Sequence, residues 1–131
     1  KPTKFKNKVD SLIELKLRTY NDYLDNHSKE TSGFKEILKT ALTYPIYARI
    51  ERYPMIFAKY TDDKNFPETN DTFYNYRNNV VIDKDSLMYY PPYSQYVRNY
   101  LYNETYSLGH APMKNEYSTK FTLDLLNTIN S

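Results

Sequence analysis

Residues 91–109, Pro-Pro-Tyr-Ser-Gln-Tyr-Val-Arg-Asn-Tyr-Leu-Tyr-Asn-Glu-Thr-Tyr-Ser-Leu-Gly, decide the fold class. Tyr93, Tyr96, Val97, Tyr100, Leu101 and Leu108 return at steps of three and four, the period of one face of an α-helix. Pro91-Pro92 forces an extended step followed by a new start. Gly109 stands where a left-handed C-cap is expected. The stretch therefore reads as a helix whose apolar face is built largely from tyrosine.

The same period recurs on both sides. Towards the N-terminus, Phe5, Val9, Leu12, Ile13, Leu17, Tyr20 and Leu24 form one stripe, which predicts a helix from about Thr3 to Ser28. Leu15 and Tyr23 fall off that stripe and would touch a second neighbour. Ser32 is the expected N-cap of a second helix carrying Phe34, Ile37, Leu38, Ala41 and Leu42, then Ile46 and Ile50. Pro45 should kink this helix near Tyr44, because proline lacks the amide proton and its ring crowds the preceding turn. The helix should run from Gly33 to about Arg52, with Tyr53-Pro54 opening a loop. Pro67 is placed to start a short third helix ending near Asn79, marked by Phe73, Tyr76 and Val80. Val80-Val81-Ile82 is a brief β-branched run, and a lone segment of that kind makes no sheet. A turn over 83–86 and a single helical turn at Leu87-Met88 should follow. A last helix, about Lys114 to Asn130, carries Tyr117, Phe121, Leu125 and Ile129. The expectation is one all-α domain over residues 1–131: an irregular bundle of about five helices with Pro-kinked and Tyr-rich connections. Helical pattern reaching both ends predicts a fragment of a longer multidomain chain.

Composition supports this class. The 131 residues suffice for one core and not for two. Only 2 Gly occur, and neither Asn-Gly nor Asp-Gly appears, so the favoured tight hairpins of many-stranded folds lack their turn residues. Leu, Ile, Val and Phe are only about a fifth of the chain, whereas Tyr numbers 16 with no Trp. Tyr must therefore supply much of the apolar volume, and each buried ring brings a hydroxyl that needs a partner. The net charge of +2 argues against a dedicated nucleic-acid binder. No apolar run approaches the length of a membrane span.

Motifs that would carry chemistry are missing. With no Cys there is no disulfide, thiolate metal site or redox pair. His27 and His110 stand in predicted loops without carboxylates at ligand spacing, and read as surface residues. Asp83-Lys84-Asp85-Ser86 fails as a calcium loop, since Met88 occupies the position that requires Gly. No nucleophile elbow or phosphate loop occurs. We therefore expect no catalytic residue, no cofactor and no metal, and rank an enzyme last. Asn26-His27-Ser28, Asn70-Asp71-Thr72 and Asn103-Glu104-Thr105 match the glycosylation triplet, which an Asn-rich chain also produces by chance. The most distinctive stretch is the Tyr band at Tyr89, Tyr90, Tyr93 and Tyr96. It packs across helix ends or, as an exposed surface, stacks on a carbohydrate or docks a peptide.

The order of motifs resembles a known family. Phe34-Lys35-Glu36-Ile37 opens a helix, and Arg52-Tyr53-Pro54 leaves it. Pro67-Glu68 leads into Phe73-Tyr74-Asn75-Tyr76. Then come Asp85-Ser86-Leu87-Met88-Tyr89-Tyr90-Pro91-Pro92-Tyr93 and Tyr96-Val97-Arg98-Asn99-Tyr100-Leu101. Over most of residues 33–131 this resembles the helical region preceding the thioredoxin-like domain of TlpA-like thiol–disulfide oxidoreductases of Gram-negative bacteria. The resemblance implies a non-catalytic interaction or spacer module in the periplasm or cell envelope, lipid-anchored in the full-length protein. Its partner would be a thioredoxin-like domain of the same chain. The family's redox activity rests on Cys-x-x-Cys and transfers to no residue here.

Overall fold

The protein's structure, a computed structural model, describes residues 2–60, 72–108 and 119–130. Among these it is all-helical, with four α-helices and two short 3-10 helices and no strand. The α-helices are α1 (Pro2–Asn26), α2 (Ser32–Tyr60), α3 (Pro91–Tyr106) and α4 (Thr119–Asn130). The 3-10 helices are η1 (Asn75–Asn79) and η2 (Asp85–Leu87). The expected bundle of about five helices is thus corrected to four, because the short helix expected up to Asn79 is a 3-10 turn. Pro67, Gly109 and the expected start of the last helix lie outside the described residues.

α1 and α2 form an antiparallel hairpin. Phe5 stacks on Tyr53 at 4.1 Å, the Lys39 ammonium lies 5.8 Å from the Tyr20 ring, and Tyr23 meets Phe34 at 6.0 Å. As one number rises along α1, its partner falls along α2. Tyr23 thus finds a neighbour, whereas Leu15 stays exposed. Thr31, rather than Ser32, caps α2. Its hydroxyl accepts from the Phe34 amide at 3.1 Å and its carbonyl accepts from Lys35. Both bonds satisfy donors that a helix start leaves open.

α2 and α3 run parallel instead. Tyr44 meets Tyr96, Glu51 meets Asn103, and Met55 packs with Tyr106, so the partner numbers rise together. Parallel neighbours require the chain to travel back between them. Residues 72–90 make that return as an irregular strap. Phe73 packs near Tyr53, Tyr76 stacks on Tyr47 at 4.6 Å, and Lys84 pairs with Glu36. Phe73, Tyr76 and Leu87 are buried, so the strap is part of the core. The β-branched run begins extended, with Val80 at φ −117° and ψ 138°. The Tyr93 hydroxyl fastens it by donating to the Val81 carbonyl and accepting from the Lys84 amide.

The expectation that Tyr53-Pro54 ends the second helix is overturned: both Pro45 and Pro54 lie inside α2. Each removes one backbone hydrogen bond and should cost about 3 kcal/mol in isolation. Burial outweighs that cost. Thr43, Ile46, Tyr47, Ile50, Glu51, Pro54 and Met55 are buried along one broad side of α2, whereas Pro45, Arg49, Arg52 and Ile56 stay exposed on the other. The similar hexads beginning at Tyr44-Pro45 and Tyr53-Pro54 are nine residues apart, which is two and a half helical turns. They face opposite sides: Tyr44 packs on Tyr93 and Tyr96, whereas Tyr53 packs on Phe5 and Phe73. What looks like a repeat in sequence is one helix serving two neighbours.

α4 packs on α3, with Leu125 reaching the small cluster of Met55, Tyr102 and Tyr106. Leu123, Leu126 and Ile129 remain exposed along its outer side. No helix among the described residues is long and apolar enough to cross a membrane.

Candidate functional site

Burial of aromatic rings brings the strap against α2 and α3, and at that junction sits a carboxylate that no water reaches. Glu51 is 0% exposed. Arg77, from η1, grips it with two parallel bonds, Nη2 to Oε1 at 2.7 Å and Nε to Oε2 at 2.8 Å. Asn103 Nδ2, from α3, donates to Oε1 at 2.9 Å. The Tyr76 hydroxyl donates to Oε2, and the Tyr96 hydroxyl stands 3.5 Å from the same oxygen. Two elements, η1 and α3, thus converge on one side chain of α2. This is what a buried charge requires, since an unpaired one would cost several kcal/mol.

Arg77 is held as firmly as it holds. Its guanidinium lies 4.0 Å from the Tyr74 ring centroid and 4.7 Å from that of Tyr100, sandwiched between two π faces. Nη1 reaches out to Glu104 at 2.9 Å. Burial alone would lower its pKa, but the hydrogen bonds and charge of Glu51, with Glu104 beyond, hold it above the ordinary arginine value. Asn103 also donates to the Tyr74 hydroxyl at 3.1 Å. Its amide orientation follows from the carboxylate, because turning the amide would set its oxygen against Glu51.

The surrounding hydroxyls are kept neutral. Burial pushes up the pKa values of Tyr74, Tyr96 and Tyr100, and the charge of Glu51 adds to the effect at each. The sign for stability follows directly. A phenol whose pKa is raised in the fold contributes stability that is intact below the unfolded value, about pH 10. That stability is lost as pH climbs from there through the folded value. Far-ultraviolet circular dichroism should therefore be flat towards pH 10 and then fall cooperatively, in step with the tyrosinate absorbance.

Chemically, the cluster is a clamp. Both carboxylate oxygens of Glu51 are occupied by protein donors, so neither is free to accept a substrate proton. Among the described residues, no group of three or more His, Cys, Asp or Glu is placed to hold a metal ion. A second, smaller clamp joins α1 to the strap: buried Lys6 donates to Asp10 at 2.6 Å and to Asn75 at 3.3 Å.

The Tyr band does not form one surface. Tyr93 and Tyr96 are 0% exposed and belong to the core, Tyr90 is half-buried, and Tyr89 alone is open, at 99%. Tyr93 and Tyr96 lie on the face of α3 turned to α2, whereas Tyr89 precedes the helix. His27 is exposed and stacks on Tyr23 at 4.1 Å; His110 lies outside the described residues. Of the glycosylation triplets, Asn26 is exposed, Asn103 is buried in the clamp and Asn70 lies outside the described residues.

Sequence reasoning passes over Glu51 and Arg77, and meets Asn103 only as the head of a glycosylation triplet. A signal existed for two of them. Glu51 falls four residues after Tyr47 and four before Met55, a polar residue on an apolar arc. Asn103 continues the α3 stripe three residues after Tyr100. Comparison with known proteins finds no matching family model, no matching curated protein and no matching solved structure.

Proposed function

We propose that this chain is a non-catalytic helical module that spaces and positions a thioredoxin-like domain of the same protein in the cell envelope. The motif order over residues 33–131 suggests the family. The observation that supports a structural role is the Glu51 clamp, in which the fold spends its buried charges on locking α2, the strap and α3 together. A spacer has to keep its geometry under load, and a bidentate ion pair with an aromatic sandwich supplies that rigidity. The full open reading frame tests the proposal. It should continue into a domain carrying Cys-x-x-Cys, and a frame encoding no such domain overturns it.

A second reading, binding of a carbohydrate or peptide, is favoured by one observation. Tyr89 presents its whole ring to solvent beside exposed Met88. Titration with oligosaccharides or peptides, followed by tyrosine fluorescence, should then saturate in the wild type and fail in Tyr89→Ala. A response unchanged in that variant removes the reading. Tyr93 and Tyr96 are unsuitable probes, because their loss would disturb the core.

A further inference from the structure

We infer that the side of the α1–α2 hairpin turned away from the strap is a docking face for an anionic lipid surface. The strap lies against one side of the hairpin. On α1 it is met by Lys6, whose ammonium reaches Asn75. On α2 it is met by Tyr47 and Glu51, which contact Tyr76 and Arg77. Lys4 and Lys8 flank Lys6 two residues to either side, about 200° around the helix, and so point the opposite way. Leu15 continues their stripe. On α2, Pro45, Arg49, Arg52 and Ile56 lie on the side away from Tyr47 and Glu51. All seven of these side chains are exposed.

The four cations gather at one end of this face, since Phe5, next to Lys4, stacks on Tyr53, next to Arg52. Among the described residues, no ion pair involves Lys4, Lys8, Arg49 or Arg52. The acids nearby are engaged elsewhere: Asp10 with Lys6, and Glu51 and Glu104 with Arg77. Asp22 is the one acid on the two stripes, and it lies at the far tip of the hairpin, next to the Tyr23–Phe34 contact. A local positive field results, which the net charge of +2 conceals. Charge complementarity calls for an anionic partner, and the apolar side chains decide which. Leu15, Pro45 and Ile56 stand in water beside the cations. A phosphate backbone gives such groups nothing to bury against, whereas a lipid surface takes cations at its headgroups and apolar side chains at the acyl boundary. Each cation near an anionic surface strengthens partitioning about fivefold, so the attachment is reversible. The face acts in this way whether or not a redox domain shares the chain.

Co-sedimentation of the 131-residue chain with phosphatidylcholine vesicles, with and without phosphatidylglycerol, tests the assignment. The protein should pellet only with the anionic vesicles, and high salt should release it. R49Q/R52Q should weaken that binding about twenty-five-fold. R98Q, which neutralises an exposed cation of α3, should leave it unchanged. Both variants alter exposed side chains alone, so their circular dichroism should match that of the wild type. Equal binding to neutral and anionic vesicles, or R49Q/R52Q binding as tightly as R98Q, would overturn the inference. Tighter binding to duplex DNA than to anionic vesicles would also overturn it and give the face to nucleic acid.

Discussion

Arg77→Ala should destabilise the protein by about 3–5 kcal/mol, the range for breaking a buried ion pair from one side. The loss is not simply that of the contacts made by Arg77. The variant leaves the Glu51 carboxylate sealed from water with only Asn103 and tyrosine hydroxyls to face it. It also removes the flat group on which Tyr74 and Tyr100 close. Glu104→Ala deletes the other acid bonded to Arg77 and should cost no more than about 1 kcal/mol, because that pair is open to solvent and screened. Glu104 is 37% exposed, whereas Glu51 is 0% exposed. Urea unfolding followed by circular dichroism separates the two cases. Equal losses for R77A and E104A would mean that the outer pair, and not the buried one, carries the coupling. In a double-mutant cycle, E51A/R77A should lose less than the sum of its single variants, since each alone strands the charge of the other.

The same cluster marks the boundary of what periodicity can reveal. α1 was legible because it turns one apolar stripe to its neighbour and keeps its other side wet, and α3 because its stripe towards α2 keeps the helical period although α4 covers another side. α2 was only half legible. Its buried side is broad, and apolar Pro45 and Ile56 stand on its wet side, so the stripe blurs into a run and the polar Glu51-Arg52 reads as the end of the helix. Pro54 reinforced the error, because the local cost of proline is visible in sequence and the burial that offsets it is not. The strap was the least legible element. Its 3-10 turns, and the extended backbone around Val80, have no strong period of their own, and partners far along the chain fix their conformation. The tyrosines show the same limit. A count of 16 says that hydroxyls must enter the core. It does not say that Tyr93 and Tyr96 enter while Tyr89, one helical turn before Tyr93, stays in water. That division depends on where α3 begins and on the side of it that meets α2. Arg77 had no signal at all, since an arginine among asparagines in a short turn reads as solvated surface. Its importance comes wholly from the acid it meets 26 positions earlier in the chain.

Pro45→Ala should stabilise the protein, and Pro54→Ala should not. Both prolines interrupt the hydrogen-bond ladder of α2, so each substitution restores an amide, to the carbonyl of Ala41 or of Ile50. Restoring the ladder and replacing proline by the best helix former is worth up to about 3 kcal/mol in a helix interior. Part of that gain is returned, because alanine gives the unfolded chain more freedom than proline does. At Pro45 nothing else changes hands, since its ring is exposed. A net gain of about 1–2 kcal/mol follows. At Pro54 the ring is fully buried. Truncation there removes apolar volume from a close-packed interior, and the resulting cavity costs about as much as the restored bond contributes. The two variants differ by nine positions in one helix and by the side they face, so the comparison isolates packing from backbone chemistry. Thermal unfolding of both, beside the wild type, gives the answer. A Pro45→Ala midpoint below that of the wild type would mean that the helix requires its interruption at Tyr44 in order to seat that ring between Tyr93 and Tyr96.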